Sequence, residues 1–136
     1  MREILFKGKR IDNDEWIDGY YQKRHDFLGN EEHLIFYADG HTVWDHAEVS
    51  SGTICQFTGL CDKNGKRIWE NNVVWLVCNG EEHVYQIVWD NSELDFKATN
   101  GEENYGLNFE YLLCCDEIEV IGNIFDNPEL LQEEHK

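Results

Sequence analysis

Pairs of Asn or Asp followed by Gly recur along this chain, and three of them separate runs rich in β-branched and aromatic residues: Asp39-Gly40, Asn64-Gly65 and Asn79-Gly80. The clearest case is Asn64-Gly65, which lies between apolar residues of 55–61 and of 68–74. Tight hairpin turns prefer Asn-Gly, because both central positions of such a turn take a positive φ. The sequence therefore predicts a β-hairpin over 55–74, with this pair at its turn.

Turn residues and alternating polarity predict more antiparallel pairs of the same kind. Asp39-Gly40 and Asn79-Gly80 are further favoured turn pairs, and 12–14 is a polar turn near the start of the chain. The predicted pairs are 4–10 with 15–22, 33–38 with 41–46, and 73–78 with 83–90.

The run Val73 to Cys78 is wholly apolar and too short for a typical helix. Its β-branched and aromatic residues predict a strand that is buried on both faces, at the centre of the core. In 83–90 the alternation separates two sets of side chains. The larger and more apolar set, Tyr85, Ile87 and Trp89, is predicted to face the core.

Two segments near the C-terminus predict short helices. Apolar residues spaced three and four apart indicate a helix over 108–115. Asn127-Pro128-Glu129 has the N-cap residue, the first-turn proline and the acidic residue of a helix start, which predicts a helix over 128–134. We expect one domain over 1–136, mainly β, with a single antiparallel, barrel-like sheet and these two helices; the alternative is an α+β fold.

The formal net charge of −17 is unevenly distributed. Through Arg67 there are 12 acidic and 9 basic residues, whereas the rest of the chain has 16 acidic and 2 basic residues. Such a C-terminal half repels nucleic-acid phosphates, so we expect no direct binding of DNA or RNA. An acidic surface either keeps a protein soluble, binds a basic partner, or imitates DNA and inhibits a nucleic-acid-binding protein.

Apolar runs are too short for a signal peptide or a membrane span, so we expect a cytoplasmic protein without membrane segments. Five cysteines stand at 55, 61, 78, 114 and 115, an odd number without the paired spacing of a zinc site. We expect all five to be reduced thiols and no metal to be bound.

No motif in the chain predicts catalysis. Glycine-rich phosphate loops and the nucleophile elbow are absent from the sequence. His41 and His46 lie five apart in a predicted strand and so point to opposite faces, which argues against a shared metal. We therefore expect no catalytic residues and no cofactor; a small enzyme of unknown type is the lesser alternative.

Five tryptophans are available either for the core or for a binding surface. Trp69 precedes the turn Asn71-Asn72, and we expect it to be partly exposed. Trp69, Asn71 and Asn72 are accordingly the predicted partner-binding residues.

Three blocks of the sequence resemble the YopX family of small proteins from bacteriophages and prophages of Gram-positive bacteria. The first is Phe-Lys-Gly-Lys-Arg-Ile-Asp-Asn-x-Glu-Trp from Phe6, followed by Gly19-Tyr20. The second comprises Phe-Thr-Gly-Leu, Asp-Lys-Asn-Gly-Lys and Ile-Trp-Glu in 57–70. The third and most specific is Glu-Val-Ile-Gly-Asn-Ile-Phe-Asp-Asn-Pro-Glu-Leu-Leu, which ends at Leu131.

The resemblance implies a phage or prophage accessory protein without an established activity, acting in an infected bacterial cell. We expect it to act by binding a host or phage protein or by self-assembly. Many members of the family have Glu-Gly-Asp where this chain has Glu70-Asn71-Asn72. Since Asn tolerates left-handed backbone better than most residues, we expect the turn to survive this difference.

Overall fold

Strands make up most of the computed structural model, which describes residues 3–38, 44–99, 107–108 and 115–134. The chain divides into two units, Met1–Phe57 and Thr58–Lys136. The prediction of a mainly β fold is confirmed. The prediction of a barrel-like sheet is wrong, because the strands form two antiparallel sheets that keep open edges. One domain over 1–136 stays a prediction.

Four strands of the first unit follow one another as antiparallel neighbours, and a fifth strand joins the sheet beside the first. This confirms the predicted pairing of 4–10 with 15–22 and of 33–38 with the strand that follows it; 39–43 lies outside the described residues. The strands are β1 (Phe6–Lys9), β2 (Trp16–His25), β3 (Glu31–Ala38), β4 (Trp44–Glu48) and β5 (Cys55–Cys61), with a 3₁₀ turn at Ser51–Thr53. Their order is β4-β3-β2-β1-β5.

A close approach of neighbouring backbones determines the packing of this unit. A Cβ at Gly19 would overlap the carbonyl oxygen of Phe36, so only glycine fits at that position.

Beyond β1, Arg10 forms a bridge with Val49, and Ile11 N–H donates to the carbonyl of Glu48 at 3.1 Å. The last residue of β4 is therefore held by the segment that follows β1.

The second unit contains the other sheet. Besides the end of β5, its elements are β6 (Arg67–Trp69), β7 (Asn72–Cys78), β8 (Glu81–Asp90), β9 (Asp95–Thr99), β10 (Leu107–Asn108), β11 (Glu117–Asn123) and α1 (Glu129–Glu134). The strand order is β10-β9-β8-β7-β11, and all neighbours are antiparallel. The predicted pair 73–78 with 83–90 is thus confirmed.

The core of this unit forms around β7, as predicted, but the predicted burial on both faces is confirmed only in part, because Trp75 and Val77 are half-buried. Val73, Val74 and Leu76 are fully buried. Tyr85 and Ile87 of β8 pack in the same cluster, but the prediction that Trp89 is a core residue is wrong, since it is 41% exposed. Register explains the difference: the pairing of β7 with β8 ends at Gln86, and Trp89 lies beyond it, paired with β9 alone.

One of the two predicted helices lies within the described residues. The helix predicted for 128–134 is confirmed as Glu129–Glu134. In the range 108–115, Asn108 belongs to a strand and Cys115 to a bend, so the predicted helix does not include its two ends. The rest of that range, 109–114, lies outside the described residues.

The predicted hairpin at Asn64-Gly65 is present between β5 and β6, but its turn is of another type. Gly65 has a φ of 80°, whereas Asn64 is not among the residues with positive φ, contrary to expectation. Gly65 N–H donates to Asp62 carbonyl oxygen at 3.0 Å, and Asp62 N–H donates to Lys66 carbonyl oxygen at 2.8 Å. This pattern is a type I turn closed by a glycine bulge, which needs a positive φ at one residue only.

The carboxylate of Asp62 ties this turn to β11. It is 8% exposed, and its Oδ1 accepts hydrogen bonds from the N–H groups of Asn64 and Lys66, both at 2.9 Å. Its Oδ2 accepts from Val120 N–H, also at 2.9 Å. Burial alone raises the pKa of Asp62, but these three backbone donors favour the charged form and hold the pKa below its ordinary value.

A disulfide joins Cys78 and Cys115, so the prediction that all five cysteines are thiols is wrong for these two. The pairing of β7 with β11 brings them together, because Val77 pairs with Glu117 and the two Cα atoms lie 4.5 Å apart. Cys55 is a buried free thiol and Cys61 an exposed one.

Replacing Gly65 with Val should lower the free energy of unfolding by about 1–3 kcal/mol, because a β-branched residue is strained at positive φ. A Cβ at Gly65 meets nothing within 4 Å, so strain and not collision would be measured. The control is Gly52→Val, where space is also open and φ is not in the left-handed region. Equal denaturation midpoints for the two variants would contradict this account of the turn.

Replacing Asp62 with Asn should destabilise the protein at pH 7 by about 1–3 kcal/mol, because an amide cannot accept through both of its terminal atoms. The folded pKa of Asp62 is lowered, so its stabilisation is complete above the unfolded value of about 3.8 and is lost as pH falls below it. Denaturant unfolding at pH 7 and pH 3 measures the free energy of unfolding that is lost in acid. This loss should therefore be smaller for Asp62→Asn than for wild type.

The matched control for this measurement is Asp116→Asn, at an exposed position of the same unit. It should leave the acid loss close to that of wild type. An Asp62→Asn variant that loses as much stability in acid as wild type would show that the buried carboxylate is not the titrating group.

Candidate functional site

Four aromatic side chains lie together on one face of β2, β3 and β4: Tyr20, Phe36, Trp44 and His46. Tyr20 pairs with Phe36, and Phe36 pairs with His46, in one row across the three strands. The ring centroids of Tyr20 and Trp44 are 5.7 Å apart, and those of Phe36 and His46 are 5.2 Å apart. We call these four residues the aromatic face.

The strand period explains why these residues share a face. Side chains two apart on a strand point the same way, so Trp44 and His46 project together, and cross-strand pairs place Tyr20 and Phe36 beside them. Tyr20 is 53% exposed and Trp44 is 56% exposed. Adjacent, exposed large aromatic side chains are unusual on a protein surface and typical of a contact site.

The ring faces of Tyr20 and Trp44 contact no cation among the residues that the structure describes. Elsewhere on the same face of the sheet, the ammonium groups of Lys7 and Lys9 lie 4.5 and 5.5 Å from the centroid of the Trp16 ring. Trp16 is therefore already engaged in cation–π contacts within the chain. The Tyr20–Trp44 pair makes no such contact within the described residues.

A groove of about 380 Å³ borders the aromatic face at His46. Its two arginines are each held by a carboxylate: Arg10 contacts Asp12 through two bonds of 3.0 and 2.8 Å, and Arg24 contacts Glu32 at 2.8 Å. The hydrogen bonds from Arg10 lower the pKa of Asp12. Because both cations are paired, the groove offers no free positive charge for an anionic ligand. Its lining residues are Arg10, Ile11, Asp12, Arg24, Glu32, Leu34, His46, Ala47 and Glu48.

The predicted exposure of Trp69 is wrong, since it is only 8% exposed. Its backbone N–H donates to Asn72 Oδ1 at 2.7 Å, and Asn72 is itself 3% exposed. Asn71 has a φ of 70°, and its Oδ1 accepts from Gln86 Nε2 at 3.2 Å. The side chain of Asn72 thus ties the turn to the backbone of Trp69. A partner-binding role for Trp69, Asn71 and Asn72 stays a prediction.

Sequence reasoning considered the tryptophans alone and so missed Tyr20, Phe36 and His46. A signal was available in β4, which places Trp44 and His46 two apart on a single face. What the sequence does not show is which face of the sheet is left uncovered. In the structure Trp44 and Trp89 are exposed, whereas Trp16 and Trp75 are half-buried.

The described residues contain neither a metal-binding cluster nor a helix that could span a membrane. Within 3–38, 44–99, 107–108 and 115–134, no group of three or more His, Cys, Asp or Glu side chains is arranged to hold a metal ion. The one helix in that part of the chain has 6 residues and is too short to cross a membrane. The expectations of no catalytic residue and no cofactor stay predictions.

Comparison with known families gave one match that spans nearly the whole chain. The family model described as YopX protein matches residues 5–132. The chain belongs to the YopX family. A search of curated proteins found no match.

A solved structure has the same fold as this YopX protein. It is the crystal structure of protein EF1440 from Enterococcus faecalis, which is 23% identical. The match has a TM-score of 0.58 and covers 96% of this chain and 99% of the other. At this identity the likeness shows the fold alone.

Two of the family blocks have a structural explanation in this YopX protein. Asn71 takes the left-handed conformation where many members have Gly, so the expectation that the turn survives is confirmed. Asn72 replaces Asp, and its amide oxygen provides the acceptor for Trp69 N–H. The carboxylate charge is therefore not needed for this turn.

The C-terminal block forms a tight turn after β11. Asn123 Oδ1 accepts from the N–H groups of Phe125 and Asp126, both at 2.9 Å, and Asn127 Oδ1 accepts from Asn123 N–H at 3.2 Å. A Cβ at Gly122 would lie 2.5 Å from Asn127 Oδ1 and 2.8 Å from its Cγ. Glycine at 122 is what lets the side chain of Asn127 reach back to β11.

Replacing Gly122 with Ala should destabilise the YopX protein by about 1–3 kcal/mol, because the new methyl group forces the side chain of Asn127 away. The measurement is a double-mutant cycle with Asn127→Ala, in which denaturant unfolding gives the stability of wild type, both single variants and the double variant. Once Asn127 is truncated, the methyl group at 122 should cost clearly less than it does in wild type. Additive effects of the two substitutions would show that they do not act through this contact.

Proposed function

We propose that this YopX protein is an accessory protein of a bacteriophage or prophage, that it acts in the bacterial cytoplasm, and that it works by binding another protein through the aromatic face. Membership of the family supports the proposed origin. The observation that carries the proposed mode of action is the exposed pair Tyr20 and Trp44, 5.7 Å apart on an open sheet face. Tyr and Trp are the residues most enriched at interface hot spots.

The net charge favours a different protein as the partner over a second copy of the chain. Two molecules that each carry −17 repel one another, which opposes self-assembly at low salt. A basic partner is attracted by the same field and meets the surface faster. Self-assembly through the aromatic face is therefore the weaker alternative.

Imitation of DNA by the acidic half of the chain has less support. A DNA mimic needs rows of unpaired carboxylates, whereas Lys63 lies 4.0 Å from Glu117 and 3.9 Å from Glu119. Other acidic residues, such as Glu81 and Glu93, come from separate strands and turns. We therefore place the binding surface on the aromatic face.

The test compares the proteins captured from a Gram-positive bacterial lysate by wild type and by a Tyr20→Ser/Trp44→Ser variant. Both side chains are more than half exposed, so the variant should keep its fold, which a thermal melt checks. The matched control is Trp89→Ser, which removes an exposed tryptophan from the other unit. A partner that wild type and the control retain should bind the double variant at least about tenfold more weakly, the loss expected at a hot spot.

Two results would contradict the proposal. Equal binding of the partner by wild type and the double variant would exclude the aromatic face. An affinity that falls by orders of magnitude between about 50 and 200 mM salt, with no effect of the double variant, would instead favour DNA mimicry, because exposed charge pairs are screened over about 10 Å at 0.1 M.

A further inference from the structure

The Tyr20–Trp44 pair has the geometry of a site for a planar cation. The two rings are tilted by 50°, with centroids 5.7 Å apart, and each ring remains more than half exposed. Both residues present the π-electron faces that attract a guanidinium or ammonium group within about 6 Å. Of the two cations, guanidinium is planar and less strongly hydrated, so it stacks better on aromatic rings.

The described part of the chain does not fill this position itself. Lys7 and Lys9 are over Trp16, at the side of the sheet face nearer to β1. Arg24, on the same strand as Tyr20, is bonded to Glu32 at 2.8 Å. One indole of this face is thus occupied by the chain's own cations, and the other indole, Trp44, contacts Tyr20.

The negative charge of the chain favours an arginine over an apolar side chain as the ligand of this site. The chain carries −17 in total, and residues 1–57 hold 11 acidic and 6 basic side chains. An apolar side chain from a partner would gain nothing from this field, whereas an arginine gains both the ring contacts and the long-range attraction.

We propose that Tyr20 and Trp44 form an arginine-binding site, through which the protein recognises an exposed arginine of a basic partner protein. The inference rests on the proposed function, since it names the chemistry that the aromatic face recognises. The guanidinium group lies against the Trp44 indole with Tyr20 at its side, and Phe36 and His46 extend the surface toward the groove.

The test uses three short peptides that differ at one residue type: acetyl-Gly-Arg-Gly-Arg-Gly-amide, its citrulline counterpart and its lysine counterpart. Citrulline keeps the planar shape of arginine without the charge, and lysine keeps the charge without the plane. Each peptide is titrated into the ¹⁵N-labelled full chain, and the indole N–H signals are followed by NMR. Trp44→Phe assigns the signal of Trp44.

We expect the arginine peptide to move the Trp44 indole signal in a saturable way, with the lysine peptide weaker and the citrulline peptide about two- to fivefold weaker. Tyr20→Phe should keep this binding, because the ring remains. Tyr20→Leu should weaken it severalfold without unfolding the chain. The Trp89 indole, which donates to Asn91 Oδ1 at 2.7 Å, should not shift.

Equal affinities for the arginine and citrulline peptides, or equal shifts at Trp44 and Trp89, would overturn the inference. The proposed function has a separate readout. If the double serine variant loses its captured partner while the arginine peptide is not preferred, protein binding stands and arginine recognition fails. If the arginine peptide binds at Trp44 but capture is unchanged by the variant, the site stands and its role in the proposed function fails.

Discussion

One buried carboxylate organises the second unit of this protein. Asp62 accepts two N–H groups of its own turn and a third from Val120, 58 residues further along the chain. A hairpin turn is normally a solvated end of a sheet, but here the charge is withdrawn from water and satisfied by backbone donors on both sides. That contact adds to the ladder between β11 and β7 in holding β11 in place. The Asp-Lys-Asn-Gly-Lys block is therefore explained by folding and does not require a catalytic role.

Hairpins and the buried strand β7 were predictable because their causes are local. An Asn-Gly pair restricts its own backbone, and an apolar run needs cover on both faces wherever it lies. The exposure of Trp89 and the pair Cys78–Cys115 were not predicted, because each depends on strand neighbours distant in sequence. Trp89 is exposed because β8 extends beyond β7. The burial of Trp69 was missed although its backbone N–H is bound by Asn72, only three residues away. The two cysteines are 37 residues apart and meet only through strand register.

The aromatic face was hidden from sequence reasoning for another physical reason. Alternation shows that Trp44 and His46 share a side of a strand, but a strand has two sides, and aromatic residues usually indicate the buried one. Here burial does not follow the two sides simply: Ile35 and Ala47 on the other side are buried, and so is Leu34 on the side of the rings, whereas Tyr20 and Trp44 are exposed. Gly19 lets the backbone of Phe36 approach closely. Alternation alone therefore could not tell which of the aromatic residues stay exposed.

The disulfide between Cys78 and Cys115 also changes what a break in the chain would do. The bond encloses the 36 residues between the two cysteines in a covalent ring, which includes β8, β9 and β10. A protease that cuts once within this ring opens a loop but releases nothing, since both pieces remain parts of one molecule. The strands before and after the cut stay at high effective concentration until a reductant separates the two sulfur atoms.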